Sequence, residues 1–411
     1  QCYANNFPVV FTSAKGCWLN TEDDKEYLDF LSGAGALNYG HNNPIFKQKL
    51  LDYIDKDGIT HGLDMHSTAK AEFIESLQNH ILKPRDLSYK VQFTGPTGTN
   101  AVESALKLAR KVTGRTNIVA FTNGFHGVSY GALAATGNQH HRGGAGTSLT
   151  DVTRMPYDGY ADGVDGLALF EAMLDDNSAG LDKPAAVILE VVQGEGGLNV
   201  ASDDWLKRLE KICRQNEILM IVDDIQAGCG RTGSFFSFES AGIKPDIVTL
   251  SKSISGYGLP MAIVLMKPEL DVWSPGEHNG TFRGNNHAFV TAAAAIEAYW
   301  QGNEFEQHIQ QNSDLVTQTL TKMQKKYPQL FEQVKGRGLM QGIACHQGDT
   351  ASDITSICFE KGLVIETAGP EDEVIKFFCP LTISEQELTQ GLTIFTDACD
   401  EVAAESIKKA S

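Results

Sequence analysis

The 411 residues contain no apolar run of the roughly 18–20 positions that a membrane-crossing helix needs, so no segment is expected to span a bilayer. Basic side chains are scarce: 34 lysines and arginines stand against 52 aspartates and glutamates, for a net charge of −18. Nucleic acids and anionic membranes are bound by basic surface, so neither is an expected partner. The eight cysteines include no C-x-x-C pair, and the nearest two, Cys345 and Cys358, stand too far apart for one arm of a zinc knuckle. No metal site is expected. Buried thiols in a reducing, cytoplasmic compartment are. Internal repeats, low-complexity tracts and long runs of like charge are also missing, which argues against a solenoid or a disordered chain.

What is present is core material. Hydrophobic residues make up 42% of the chain, as short apolar runs alternating with amphipathic stretches. That alternation marks an α/β fold. Strands are predicted at residues 91–93, 118–121, 186–189, 219–222, 247–250 and 262–265. Being apolar throughout, they read as strands covered by helices on both faces. Amphipathic helices are predicted over 100–113 and 204–216. Residues 62–301 read as one large, mostly parallel sheet domain. Residues 1–61, with a β-meander piece near 9–32, and residues 302–411, opening with a long polar helix over 303–327, read as one smaller α+β domain built from both termini.

One glycine pattern misleads. Gly228-Cys229-Gly230-Arg231-Thr232-Gly233 matches the dinucleotide fingerprint and follows an apolar strand. The fingerprint needs a helix opening directly after its glycines, however, and Ser234-Phe235-Phe236-Ser237-Phe238 is a poor helix start. A loop using glycine for its turns is the better reading. The stronger phosphate candidate is Thr94-Gly95-Pro96-Thr97-Gly98-Thr99-Asn100, where a strand ends and an amphipathic helix begins, so free N–H groups and the positive helix end would face an anion. Taken alone, it reads more often as a plain helix cap.

Two charged residues close apolar strands. Asp223 follows Leu219 to Val222, and carboxylates at the carboxyl ends of parallel strands point into the ligand crevice. Lys252 ends the next apolar run, where an unpaired ammonium is unusual and a desolvated amine becomes a nucleophile. A helix terminus, a carboxylate and an amine are the three parts that hold pyridoxal 5′-phosphate (PLP), taking its phosphate, its ring nitrogen and its aldehyde. Phe125, after the strand ending at Phe121, offers an aromatic wall for the ring.

The stretch from Met220 to Gly233, with Ser251-Lys252 placing the lysine 29 positions after Asp223, resembles the class III (omega) aminotransferases of PLP fold type I. The likeness spans essentially the whole chain through Gly40-His41-Asn42-Asn43-Pro44, Phe125-His126-Gly127, Gln193-Gly194-Glu195-Gly196-Gly197 and the run from Asn279 to Asn285. It implies that Lys252 carries the cofactor and shuttles the proton. By the same likeness, Asp223 holds the ring nitrogen, Gln226 the ring hydroxyl, Phe125 the ring face, and Gly98 and Thr99 the phosphate. Thr281 would reach the phosphate of a neighbouring subunit, which implies a homodimer, or a dimer of dimers, with shared sites. For His126, beside Phe125, and for Arg283, packing or an interface role stands level with chemistry.

Glu195 matches a glutamate that, in several relatives, pairs with a C-terminal arginine and releases it to a substrate carboxylate. Where that arginine would fall, in the stretch from Val374 to Leu381, this chain has Lys376. Lysine lacks the arginine fork, so either Lys376 stands in for it or another group holds the carboxylate. The segments 93–115, 123–138 and 276–290 resemble the diaminobutyrate branch of the family. That implies amino transfer between glutamate and aspartate 4-semialdehyde, as in ectoine synthesis. Omega-transaminases for 4-aminobutyrate or N-acetylornithine, a siderophore or diaminopropane pathway, and a catalytically silent homologue are the alternatives. Phe7 and residues 63–66 are candidate substrate-side walls.

Overall fold

The computed structural model describes residues 6–410, so Cys2 lies outside the described residues. Its centre is a seven-stranded sheet in the order Lys90–Phe93, Ile263–Met266, Ile247–Leu250, Leu219–Asp223, Ala186–Leu189, Ile118–Phe121 and Val152–Met155. Only Ile263–Met266 runs against the rest. Six of these strands lie within a residue of the predicted runs. The seventh, Val152–Met155, was not predicted: it sits at the sheet edge and alternates Val-Thr-Arg-Met, because an edge strand is covered less completely than a central one.

Alternation along the strands sends side chains to opposite faces, and both faces are buried. On one, Ile118, Ile188, Ile221 and Val264 pack with Ala101, Ala105 and Ala109 of the helix Gly98–Thr113. On the other, Val119, Val187, Val222 and Leu265 join Leu206, Leu209 and Ile212 of the helix Asp203–Gln215. Short alanines let the first helix lie close to the sheet, and that places its N-terminus at the strand ends.

The two ends of the chain meet in a second sheet. Strands Phe11–Lys15, Trp18–Thr21 and Glu26–Asp29 form a meander, and Leu363–Val364 adds to it in parallel, with Leu363 beside Leu28. A third sheet, Phe331–Arg337, Met340–Cys345, Val374–Phe377 and Glu366–Ala368, is wholly antiparallel. The helix Glu304–Lys326 packs against it, and the helices Pro44–Asp55 and Thr68–Ser76 pack against Asn286–Tyr299. Among the described residues no helix is long and apolar enough to cross a membrane.

No helix opens after the glycines of 228–233. The segment is a series of turns with Cys229 and Gly230 in the left-handed region. Its Arg231 is fully buried. The guanidinium donates to Asn38 Oδ1, to the carbonyl of Leu339 at 3.1 Å and to that of Cys379 at 2.6 Å, and it lies 4.3 Å from the Phe378 ring centre. The residue thus ties the central sheet to both ends of the chain. Arg231→Leu strands these acceptors in the interior at about 1–3 kcal/mol each. A stability loss of about 3–5 kcal/mol is expected in a denaturant titration.

Candidate active site

Three segments meet beyond the strand ends of the central sheet, around a cavity of about 240 Å³. The first begins where Lys90–Phe93 gives way to the helix Gly98–Thr113. Asn100 Oδ1 accepts from the backbone N–H of Thr97 at 3.3 Å and from its hydroxyl at 2.8 Å, which fixes Thr97 as the cap. Gly98 and Thr99 are therefore the first helical residues. They border the cavity with N–H groups that no helical carbonyl can take. A Cβ on Gly98 would come within 3.0 Å of the Ile225 side chain, so glycine is what lets the helix approach so closely. The hydroxyls of Thr97 and Thr99 are engaged by Asn100 and Ser129, so the backbone is left as the donor set.

Asp223 ends the strand Leu219–Asp223 and is buried. Its Oδ2 lies 2.7 Å from His126 Nδ1, and its Oδ1 accepts from the Thr249 hydroxyl at 3.0 Å. Burial works against a charged His126, but the Asp223 carboxylate overrides it and raises the imidazole above its ordinary range. His126 thus acts as a donor that orients Asp223. The adjacent parallel strand, paired Asp223 to Thr249, leads directly to Lys252, which opens a short 3-10 turn in the left-handed region. Loss of water pushes the Lys252 amine below its ordinary range. Glu195 opposes that shift and Lys376 adds to it.

Gln226 reaches in from the opposite wall. Its amide nitrogen donates to the carbonyl of Ala34 at 3.0 Å and to Glu195 Oε1 at 3.1 Å, while its Oε1 is buried without a partner. Phe125 is half-buried at the rim and meets the His141 ring edge-on at 5.3 Å.

Glu195 also meets Lys376, at 3.1 Å. Burial alone would raise the Glu195 carboxyl, but Lys376 and then Lys252 hold it down to about 2. Lys376 is fully buried in the strand Val374–Phe377 and makes a second ion pair with Glu366, at 2.8 Å. Burial opposes its charge, yet the two carboxylates keep it above its ordinary range.

Two residues of the site escaped the sequence. Glu190, just past the strand Ala186–Leu189, accepts from the N–H of Phe125 at 2.8 Å and of Gly194 at 3.2 Å. Burial raises it to about 7, with His126 opposing and Asp223 adding to the effect. The strand-end argument that found Asp223 applies to it equally. Glu366 had a fainter signal, a single charge in the apolar run Leu363-Val364-Ile365-Glu366.

Other expected residues fall elsewhere. Thr281 is exposed and outside the cavity, beside an exposed Phe282. Leu63 and Asp64 border a groove along the edge strand Lys90–Phe93, where Arg283 pairs with Asp64, and Phe7 packs on Phe359. None of them lines the Lys252 cavity within this one chain.

The model of the family described as aminotransferase class-III matches residues 2–399. The chain belongs to the class III aminotransferases. Among curated relatives of this family, a diaminobutyrate–2-oxoglutarate transaminase of Vibrio parahaemolyticus is 70% identical over all of this chain and 97% of its own length. One from Vibrio cholerae is 72% identical over 96% of both chains. Among solved structures, an ornithine aminotransferase from Toxoplasma gondii aligns with a TM-score of 0.84 at 26% identity, covering 98% of this chain and 92% of that one. The fold is PLP fold type I.

The cofactor of this class III aminotransferase is pyridoxal 5′-phosphate, and the cavity fits it. A helix N-terminus stands ready for a phosphate, Asp223 for a protonated ring nitrogen, Lys252 for an aldehyde, and the unpartnered amide oxygen of Gln226 marks a place for one more polar group.

Proposed function

We propose that this aminotransferase moves an amino group between glutamate and aspartate 4-semialdehyde, giving L-2,4-diaminobutyrate and 2-oxoglutarate, as the first step of ectoine biosynthesis. The observation that carries the reading is the 70–72% identity to two diaminobutyrate–2-oxoglutarate transaminases over nearly the whole chain. The cofactor supplies an electron sink for the carbanion left when a substrate carbon loses its proton. Lys252 moves that proton, and the loss of water that lowers its pKa favours the neutral amine able to take one. Asp223, aimed by His126 and Thr249, keeps the ring nitrogen protonated. Gly98 and Thr99 anchor the phosphate, Phe125 walls the ring, and Gln226 holds the ring hydroxyl. Lys376 receives a substrate carboxylate once Glu195 turns away from it.

With the chain divided near residues 61 and 301, the cofactor groups belong to the large domain and Lys376 to the small one. The substrate is then bound across both. The protein works in the cytoplasm as a homodimer, in which the exposed Thr281 and Phe282 meet a second copy. Sedimentation at twice the chain mass is the expected result.

Glutamate formation from 2-oxoglutarate with diaminobutyrate, 4-aminobutyrate or N-acetylornithine as donor tests the substrate. Diaminobutyrate is expected to exceed the others in kcat/KM by at least about tenfold, the scale of one well-made polar contact. A preference for either alternative overturns the assignment.

A further inference from the structure

Glu366 is a part-buried charge that none of the steps above uses. The antiparallel register sets it directly opposite Lys376, and the two make an ion pair of 2.8 Å. Lys376 is therefore held between two carboxylates. Glu195 lies on the cavity side, at 3.1 Å, and Glu366 lies behind, bordering a shallow groove with Phe7 and Ile365. Lys252 extends the series, so charges alternate Lys252, Glu195, Lys376, Glu366 from the cavity out to that groove.

Resting on the reading that glutamate and 2-oxoglutarate place a carboxylate on Lys376, we infer that Glu366 is a permanent counter-ion that weakens this grip and sets the affinity for the dicarboxylate co-substrates. The reason is a charge count. A substrate carboxylate that displaces Glu195 meets a lysine already neutralised by Glu366, not a free cation. The three N–H donors of the lysine ammonium let it hold both carboxylates at once. The Glu366 charge is itself held reluctantly, since burial raises its carboxyl while Lys376 opposes the rise. A weak grip suits a site that must release 2-oxoglutarate and then accept a different substrate in the same place.

The test is Glu366→Gln in the PLP-loaded enzyme, which keeps size and an acceptor oxygen but removes the charge. The KM for 2-oxoglutarate and for glutamate is expected to fall at least about tenfold, a lower bound for the loss of one unit charge within several ångströms in a partly polar interior. The KM for diaminobutyrate should stay within about twofold, because Glu195 remains on Lys376 while that donor binds, and kcat should move far less than KM. A merely structural role predicts the opposite, a raised KM for every substrate with a lowered melting temperature. Glu366→Asp keeps the charge but draws it back by one methylene, and a smaller fall in the same KM is expected. An unchanged or raised KM for 2-oxoglutarate in either folded variant overturns the inference. If the wild-type enzyme does not use 2-oxoglutarate at all, the functional reading fails first and this inference with it.

Discussion

Lys252→Ala is expected to lower turnover by at least about 10⁴-fold and to remove the visible absorbance that PLP gains on its attachment to the lysine. The size of the effect follows from position. Lys252 follows a buried central strand, three residues beyond Thr249, which pairs with Asp223. Among the described residues no other amine lines the cavity, and that of Lys376 is engaged by Glu195 and Glu366. The protein therefore has no substitute for either the covalent or the proton-transfer role. Turnover with glutamate and the absorption spectrum of the purified variant are the measurements. Activity within a hundredfold of wild type would remove Lys252 from the mechanism. The fold should survive, since the side chain makes no hydrogen bond on which a neighbouring strand depends.

Asp223→Asn is the second large effect, on the order of 10³-fold in turnover. The amide has nearly the shape of the carboxylate and can still accept from Thr249, but it carries no charge to keep the ring nitrogen protonated. The surroundings show that a charge belongs there. Asp223 is buried, yet it has the Thr249 hydroxyl on one oxygen and His126 on the other, and the imidazole is raised by the contact. The diagnostic is that bound PLP remains visible in the spectrum while turnover falls. A loss smaller than tenfold would mean that the charge is not used. His126→Phe, which removes the orienting donor but keeps bulk, should follow the same pattern with a smaller drop.

Local patterns carried much of the fold. A mostly apolar run bounded by polar residues needs no partner named in advance to be read as a strand, and all six lie where they were placed, five of them inside the sheet and Lys90–Phe93 at its edge. The edge strand Val152–Met155 and the meander strand Trp18–Thr21 were not predicted because each mixes polar with apolar residues and is only partly covered. The same logic extends to the site. Asp223 and Lys252 were legible because a carboxylate and an amine at strand ends, combined with a helix terminus, are the three parts that PLP requires, and Glu190 takes a similar strand-end place although it was passed over. Phe7 and residues 63–66 were placed against the substrate without such a rule, and within one chain Phe7, Leu63 and Asp64 border other grooves.

The sequence by itself determined the α/β class, the acidic charge balance and the residues proposed to hold PLP, because each is read from composition or from spacing along a few neighbouring positions. The tertiary structure decided which charges meet. His126 and Asp223 are 97 residues apart and Glu195 and Lys376 are 181 apart, and neither pairing has a local periodicity to announce it. Glu366 stands opposite Lys376 only because two short strands pair antiparallel in one register, and a slip of one residue would turn it to the other face. Contacts of that kind follow from the packing of whole elements, so only the folded chain reveals that Lys376 has two carboxylates for partners.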